Sequence, residues 1–198
     1  MFLGEPPASE TTDAAYAADR EADGYVSNLT RLWCWRPDLE ASFAALRANL
    51  RESSALTERE WAVLVSSAVA EFNDSYCSLG WGPRLAKLTD DETAAQVLTG
   101  VAAPALSDRE TALAAWARQV VRDPNSTTSD HVARLREVGL GDREIFEATA
   151  LVAFRLAFST VNDALGATPD KQLADAAPDP IRAAVSYGRA PSSAESAS

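Results

Sequence analysis

The sequence predicts an all-α domain, and two observations carry that expectation. One helix-start pattern recurs along the chain, and alanine is abundant while alternating β-branched runs are scarce. The recurrent starts are Leu56-Thr57-Glu58-Arg59-Glu60, Leu106-Ser107-Asp108-Arg109-Glu110 and Leu140-Gly141-Asp142-Arg143-Glu144. In the first two, a Thr or Ser oxygen is placed to accept the amide three residues on. The Glu at that position reaches back to the cap amide, so the pattern is a capping box. Gly141 leaves only half the box, and Leu140 with Ile145 is placed to form a hydrophobic staple. Thr89 and Glu92 read as a fourth box.

These starts predict helices over 13–23, 25–34, 37–51, 58–72, 75–87, 90–99, 108–122, 129–138 and 142–165. Pro37 suits the first turn of the third, and Gly139 and Gly166 suit C-terminal caps. The 142–165 segment is the most apolar, with Ile145, Phe146, Val152, Leu156 and Val161 on a wide face, and is expected to be the central core helix. Arg155 in its middle requires a partner or an opening to solvent. Residues 1–12, with Pro6 and Pro7, read as a disordered arm. Residues 13–175 read as the helical domain, and the proline- and serine-rich stretch 176–198 as a flexible tail.

The 198 residues suffice for one sizeable core. A net charge of -11 disfavours nucleic acid and anionic membrane surfaces as partners. No apolar run approaches the roughly 18 residues a membrane span needs. Met1 to Glu10 has neither a basic start nor a long apolar core, so no signal peptide is expected and the reading is cytoplasmic. Two cysteines and one histidine do not suggest a disulfide scaffold or a structural zinc site, and no cofactor is expected. His131, beside Asp130, reads as a solvated residue.

The stretch Glu71-Phe72-Asn73-Asp74-Ser75-Tyr76-Cys77-Ser78-Leu79-Gly80-Trp81-Gly82 joins two predicted helices. Asp74 or Ser75 would cap the second, which puts Cys77 in its first turn. Unpaired amides and the helix dipole there favour a thiolate, while the like charges of Asp74 and Glu71 oppose it. Trp81 lies one turn after Cys77 on the same face. By itself, a lone cysteine in such a chain is most often a buried small hydrophobe.

This stretch resembles the motif of the alkylhydroperoxidase AhpD-like and carboxymuconolactone decarboxylase family, in its peroxidase-related branch. That family carries Cys-x-x-Cys at a helix start, with a histidine four residues later. Tyr76 and Cys77 match the pattern; Asp74 stands in place of the first cysteine and Trp81 in place of the histidine. The resemblance extends over roughly residues 40–170, including Ala105 to Glu110, Arg122-Asp123-Pro124, Val132 to Leu140 and Phe158 to Gly166. It implies an AhpD-like helical bundle, a homo-oligomer, and a redox centre reduced to Cys77, with Asp74 beside it. Glu60 corresponds to the proton-relay carboxylate, about two residues further from Cys77 than the usual spacing. Tyr76, Trp81 and Glu71 would line the substrate pocket.

Three functions follow. The first is a thiol peroxidase or disulfide-exchange oxidoreductase acting on a peroxide or a thiol/disulfide partner through Cys77, with resolution by an external thiol or Cys34. The second is a non-redox, decarboxylase-like enzyme using Asp74, Glu71 or Glu60 as acid or base, with Arg84 and Lys87 as the cations at hand. The third is a ligand-binding or oligomeric protein that has lost the centre. The 37–51 region or the N-terminal arm is expected to contribute the subunit contacts.

Overall fold

The computed structural model describes residues 1–193. It contains α1 (Glu10–Asp23), α2 (Asn28–Trp33), α3 (Pro37–Glu52), α4 (Glu58–Glu71), α5 (Ser75–Leu88), α6 (Asp91–Thr99), α7 (Asp108–Arg122), α8 (Ser129–Glu137), α9 (Asp142–Ala164), α10 (Lys171–Ala176) and α11 (Asp179–Ala184). A 3₁₀ turn, Pro124–Ser126, links α7 to α8, and no strand occurs among the described residues.

The capping chemistry is where the sequence places it. Thr57 and Ser107 form complete boxes with Glu60 and Glu110. Glu144 accepts the Gly141 amide at 2.7 Å, which is the half-box expected there. The fourth start differs. Asp90, not Thr89, caps α6, its carboxylate accepting the Thr93 amide at 2.8 Å. Thr89 instead donates its hydroxyl to Leu85 O and ends α5.

The central helix is α4, not the expected α9. Every residue from Glu60 to Ala70 is buried. A helix apolar or small all round must be covered on all sides, and α4 packs against α5, α6, α7 and α9. Trp61, Leu64 and Val65 face α7 and α9 with Trp116, Leu151 and Val152. Val63 and Ala70 belong to a second cluster with Leu79, Leu85, Leu98 and Ile181. On α9 the buried residues form one stripe through Ile145, Ala148, Leu151, Val152, Arg155, Phe158 and Asn162, while Phe146 is 72% exposed.

Both expected chain-end boundaries move outward. The arm holds a buried Pro6, α1 starts at Glu10 with Ser9 as its cap, and the Phe2 amide bonds Leu165 O at 2.9 Å. Within the expected tail, α11 buries Ile181 completely and packs on α5 and α6. It fits because α5 presents Gly82 there: a Cβ at that position would lie 2.7 Å from the Ile181 side chain. The prolines that suggested a loose tail start this helix instead, with Pro180 in its first turn. The last five residues of that expected tail, 194–198, lie outside the described residues.

Candidate active site

The turn from α4 to α5 builds the site. Asn73 takes a left-handed conformation (φ 62°), one of the few non-glycine residues that does so readily. This reverses the chain so that Asp74 bonds Val69 O through its amide and caps α5 through its side chain. Asp74 Oδ1 accepts the Cys77 amide at 2.8 Å, while Oδ2 is buried without a partner. Two later segments hold the start of α5 in place. Ser75 donates to Arg189 O at 2.7 Å, Tyr187 donates to Ser78 Oγ at 2.9 Å, and Tyr76 donates to Asp170.

Cys77 is 4% exposed and lies on the wall of a cavity of about 530 Å3. Tyr25, Trp61, Tyr76, Trp81 and Phe158 give this cavity its aromatic lining. Four arginines share it: Arg47 and Arg51 from α3, Arg84 from α5 and Arg155 from α9. Arg155 Nη1 approaches Cys77 Sγ at 3.7 Å. Its guanidinium stacks over Trp81 (5.5 Å) and Phe158 (5.3 Å), and Arg47 covers the same Phe158 ring at 4.9 Å. Phe158 in turn stacks on Trp33 at 5.1 Å.

The electrostatics correct one expectation. Helix position alone would favour a thiolate, but burial pushes the Cys77 thiol well above the usual range, and the Asp74 carboxylate pushes it further. Arg155 and the Ser159 hydroxyl act in the opposite direction without prevailing. Glu71 plays no part in this balance. Its own burial is outweighed by Arg122 and Arg118, which hold its carboxyl low, with Arg118 Nη1 at 3.1 Å. Near Asp74, burial and the Asp74 charge raise Asp163 to about 7. Burial and then Arg155 depress Arg47.

Of the residues the sequence singles out, Cys77, Tyr76 and Trp81 meet on the cavity and Asp74 stands behind the thiol. Glu60 does not join them. It caps α4 and pairs with Arg109, which also holds Glu144. Cys34 is free and buried at the end of α2, where burial raises its thiol and Thr12 and Asp19 are its neighbours; it does not line the cavity. His131 accepts the Thr128 amide through Nδ1 and so caps α8. Among the described residues no cluster of three or more His, Cys, Asp or Glu is placed to hold a metal ion.

The site residues that sequence reasoning missed are Arg47, Arg51 and Phe158, so the cations available to an acidic ligand exceed Arg84 and Lys87. Arg155 carried a signal, being a charge inside the most apolar helix. Arg47 and Arg51 carried none, because on a mostly exposed helix they read as ordinary surface arginines.

No family model matches the sequence, and no curated protein does. Solved structures match it along most of its length. A peroxidase-related protein from Ralstonia eutropha JMP134, described as an alkylhydroperoxidase AhpD core, superposes with a TM-score of 0.75 at 21% identity, covering 87% of this chain and 93% of that one. A peroxidase-related protein from Silicibacter sp. TM1040 does so with a TM-score of 0.75 at 19% identity and the same coverage.

This chain has the AhpD-like fold.

The debrominase Bmp8 shares the AhpD-like fold with it, at a TM-score of 0.70 and 15% identity over 93% of this chain and 98% of that one. A cysteine-to-alanine variant of Bmp8 in complex with 2,3,4-tribromopyrrole matches at a TM-score of 0.66. No helix among the described residues is long and apolar enough to cross a membrane.

Proposed function

We propose that this chain is a thiol-dependent oxidoreductase that reduces a small electrophile, such as an organic peroxide, in the aromatic cavity through Cys77 alone. One observation carries the reading: Cys77 faces the cavity with a guanidinium on one side and an unpartnered buried carboxylate oxygen behind it. Asp74 takes the thiol proton, and Arg155 compensates the thiolate that forms. The thiolate attacks the distal peroxide oxygen. The O–O bond breaks, sulfur is oxidised to sulfenic acid, and the leaving alkoxide receives the proton as an alcohol. An external thiol then attacks the sulfenic sulfur and releases water. A second thiol reduces the mixed disulfide, restoring Cys77 and yielding the external disulfide. Glu60 and Glu71, both held in ion pairs, have structural roles in this scheme.

The test is turnover of cumene hydroperoxide with dithiothreitol as reductant, together with a sulfenic-acid probe. Labelling at Cys77, turnover abolished by Cys77→Ser and turnover largely kept by Cys34→Ser are expected. Turnover surviving in Cys77→Ser would overturn the reading. A reducing compartment such as the cytoplasm suits this use of external thiol.

A second reading follows from the aromatic lining. A halogenated ring stacked there would present its halogen to the same sulfur. The thiolate would take the halogen, the ring carbon a proton, and an external thiol would then displace halide as a disulfide forms. The complex of the Bmp8 variant with a tribrominated pyrrole supports it. Halide release from a bromopyrrole, dependent on Cys77 and thiol, decides between the two substrates.

We also propose a homo-oligomer built on α3. That helix buries none of its residues, and Leu39 (50%) and Leu46 (45%) stand exposed on it. Arg47 and Arg51 of the same helix line the cavity, so a second copy seated there would cover its outer edge. Sedimentation should show a dimer or larger species that Leu39→Glu with Leu46→Glu dissociates; a wild-type monomer at tens of micromolar would contradict it.

A further inference from the structure

Arg155 is only 7% exposed, yet no carboxylate pairs with it among the described residues, and its Nε has no hydrogen-bond partner. Burying a charge without a partner is costly, so its persistence points to a partner that arrives from outside. The thiol at 3.7 Å is not that partner at rest, because burial and Asp74 keep it protonated.

A second guanidinium sits close by. Arg47 and Arg155 both lie over the Phe158 ring, at 4.9 and 5.3 Å, so two like charges share one aromatic ring. Arg47 has only a single contact to Glu40 at 3.5 Å, and that carboxylate is itself partly exposed. Further out, Arg51 is paired with Glu58, whereas Arg84 stacks on Trp81 at 5.0 Å without a carboxylate partner among the described residues. An adjoining cavity adds Lys87 to the rim beside Arg51 and Arg84. The acidic groups here are Asp23 on the cavity wall, Glu58 on the rim, Glu40 behind Arg47 and Asp74 behind Cys77. In a chain of net charge -11, this cavity is a cationic exception, and a low-dielectric wall focuses such a field on an entering anion.

We propose that the cavity binds an aromatic organic anion, its carboxylate held between Arg155 and Arg47 and its ring against Trp61, Trp81 and Phe158. This deepens the reaction proposed above and rests on that reading only for what happens next at Cys77. A planar guanidinium pair matches a carboxylate through charge-assisted hydrogen bonds. The anion removes the repulsion between the two arginines. The ring fills an apolar space of the size common for small-molecule sites. The electrophilic centre of such a substrate would then be fixed within reach of the sulfur that Arg155 also contacts.

The experiment is calorimetric binding of 2-naphthoate and its neutral isostere 2-naphthamide to the full chain, without peroxide or thiol. Naphthoate is expected to bind about tenfold or more tightly than naphthamide. Arg155→Met and Arg47→Met should each remove most of that preference, and Arg155→Lys should keep part of it. If Arg155→Met fails to fold, the wild-type ratio and the Arg47 and Arg155→Lys variants still decide. Equal binding of the two probes, no binding of either at millimolar concentration, or a preference indifferent to both arginines would overturn the proposal. The measurement involves no turnover, so failure of the redox reading leaves it standing, and failure here leaves the peroxide assay standing.

Discussion

Arg155 Nη1 lies 3.7 Å from Cys77 Sγ, across 78 positions of sequence and from a different helix. The guanidinium is the principal charge favouring the thiolate over the thiol, against burial and Asp74. Replacing it with an uncharged residue of similar length should therefore raise the thiol further. In a Cys34→Ser background, Arg155→Met is expected to slow iodoacetamide alkylation of Cys77 at neutral pH by about tenfold. Arg155→Lys should recover part of the rate. Faster alkylation in Arg155→Met would show that the contact is not electrostatic in effect.

Asp74 should act oppositely on reactivity and on turnover. Asn is as good an N-cap as Asp, so Asp74→Asn keeps the bond to the Cys77 amide. Removing the negative charge should lower the thiol's proton affinity and speed alkylation about tenfold. The same change removes the group proposed to take the thiol proton, so peroxide turnover should fall. Alkylation and turnover moving together would exclude Asp74 as the proton acceptor.

Asp163 gives a stability prediction with a definite pH window. Burial and the Asp74 charge raise its carboxyl to about 7, above an unfolded value near 4. A raised carboxyl binds more protons in the folded state. Its contribution is complete below about pH 4 and is lost as pH rises to about 7. Asp163→Asn should hence leave thermal stability unchanged near pH 4 and raise it above pH 7. After discounting for its partial exposure the gain is about 1 kcal/mol, or roughly 2–4 °C in Tm. Equal shifts at both pH values would refute the assignment.

The two positions at which this stretch differs from the motif it resembles can be changed to match it. Asp74→Cys with Trp81→His is expected to let peroxide drive a disulfide between positions 74 and 77, seen as a loss of two mass units and of free thiol. Turnover should then rise, since an internal thiol resolves the sulfenic acid and the new histidine supplies the proton transfer that is lost with the Asp74 carboxylate. Trp81→His alone should do little for turnover. The guanidiniums of Arg84 and Arg155 both lie over the Trp81 ring, so its loss should also cost up to about 3 kcal/mol of stability, toward the low end of large-to-small core changes.

Much of this is legible in the sequence alone. Helix starts are encoded locally: a hydroxyl at the cap and a glutamate three residues on appear in the sequence as directly as in the structure, at Thr57 and Ser107. The Asp74 cap that puts Cys77 in the first turn of α5 is local in the same sense. What failed depends on distant neighbours. The centrality of α4 follows from the four helices that cover it, so that even its polar Ser66 and Ser67 are fully buried. The burial of α11 depends on Gly82, about a hundred residues upstream. The thiol's state depends on total burial, which the dipole argument cannot supply. Glu60 illustrates the reverse error: a carboxylate near the motif in sequence is occupied elsewhere, by Arg109.

The bonds from Ser75 to Arg189 and from Ser78 to Tyr187 join positions 114 and 109 residues apart. During synthesis the thiol-bearing helix leaves the ribosome long before the segment that seats it. At elongation rates of roughly 5–20 residues per second, that interval lasts on the order of ten seconds. Through it, the start of α5 lacks the two bonds that later pin it beside the cavity. The cluster that buries Cys77 is itself complete only with Phe158. The nascent chain therefore passes a window in which its one cavity thiol is open to indiscriminate oxidants, and the start of its helix is pinned later still, once residue 189 has been made.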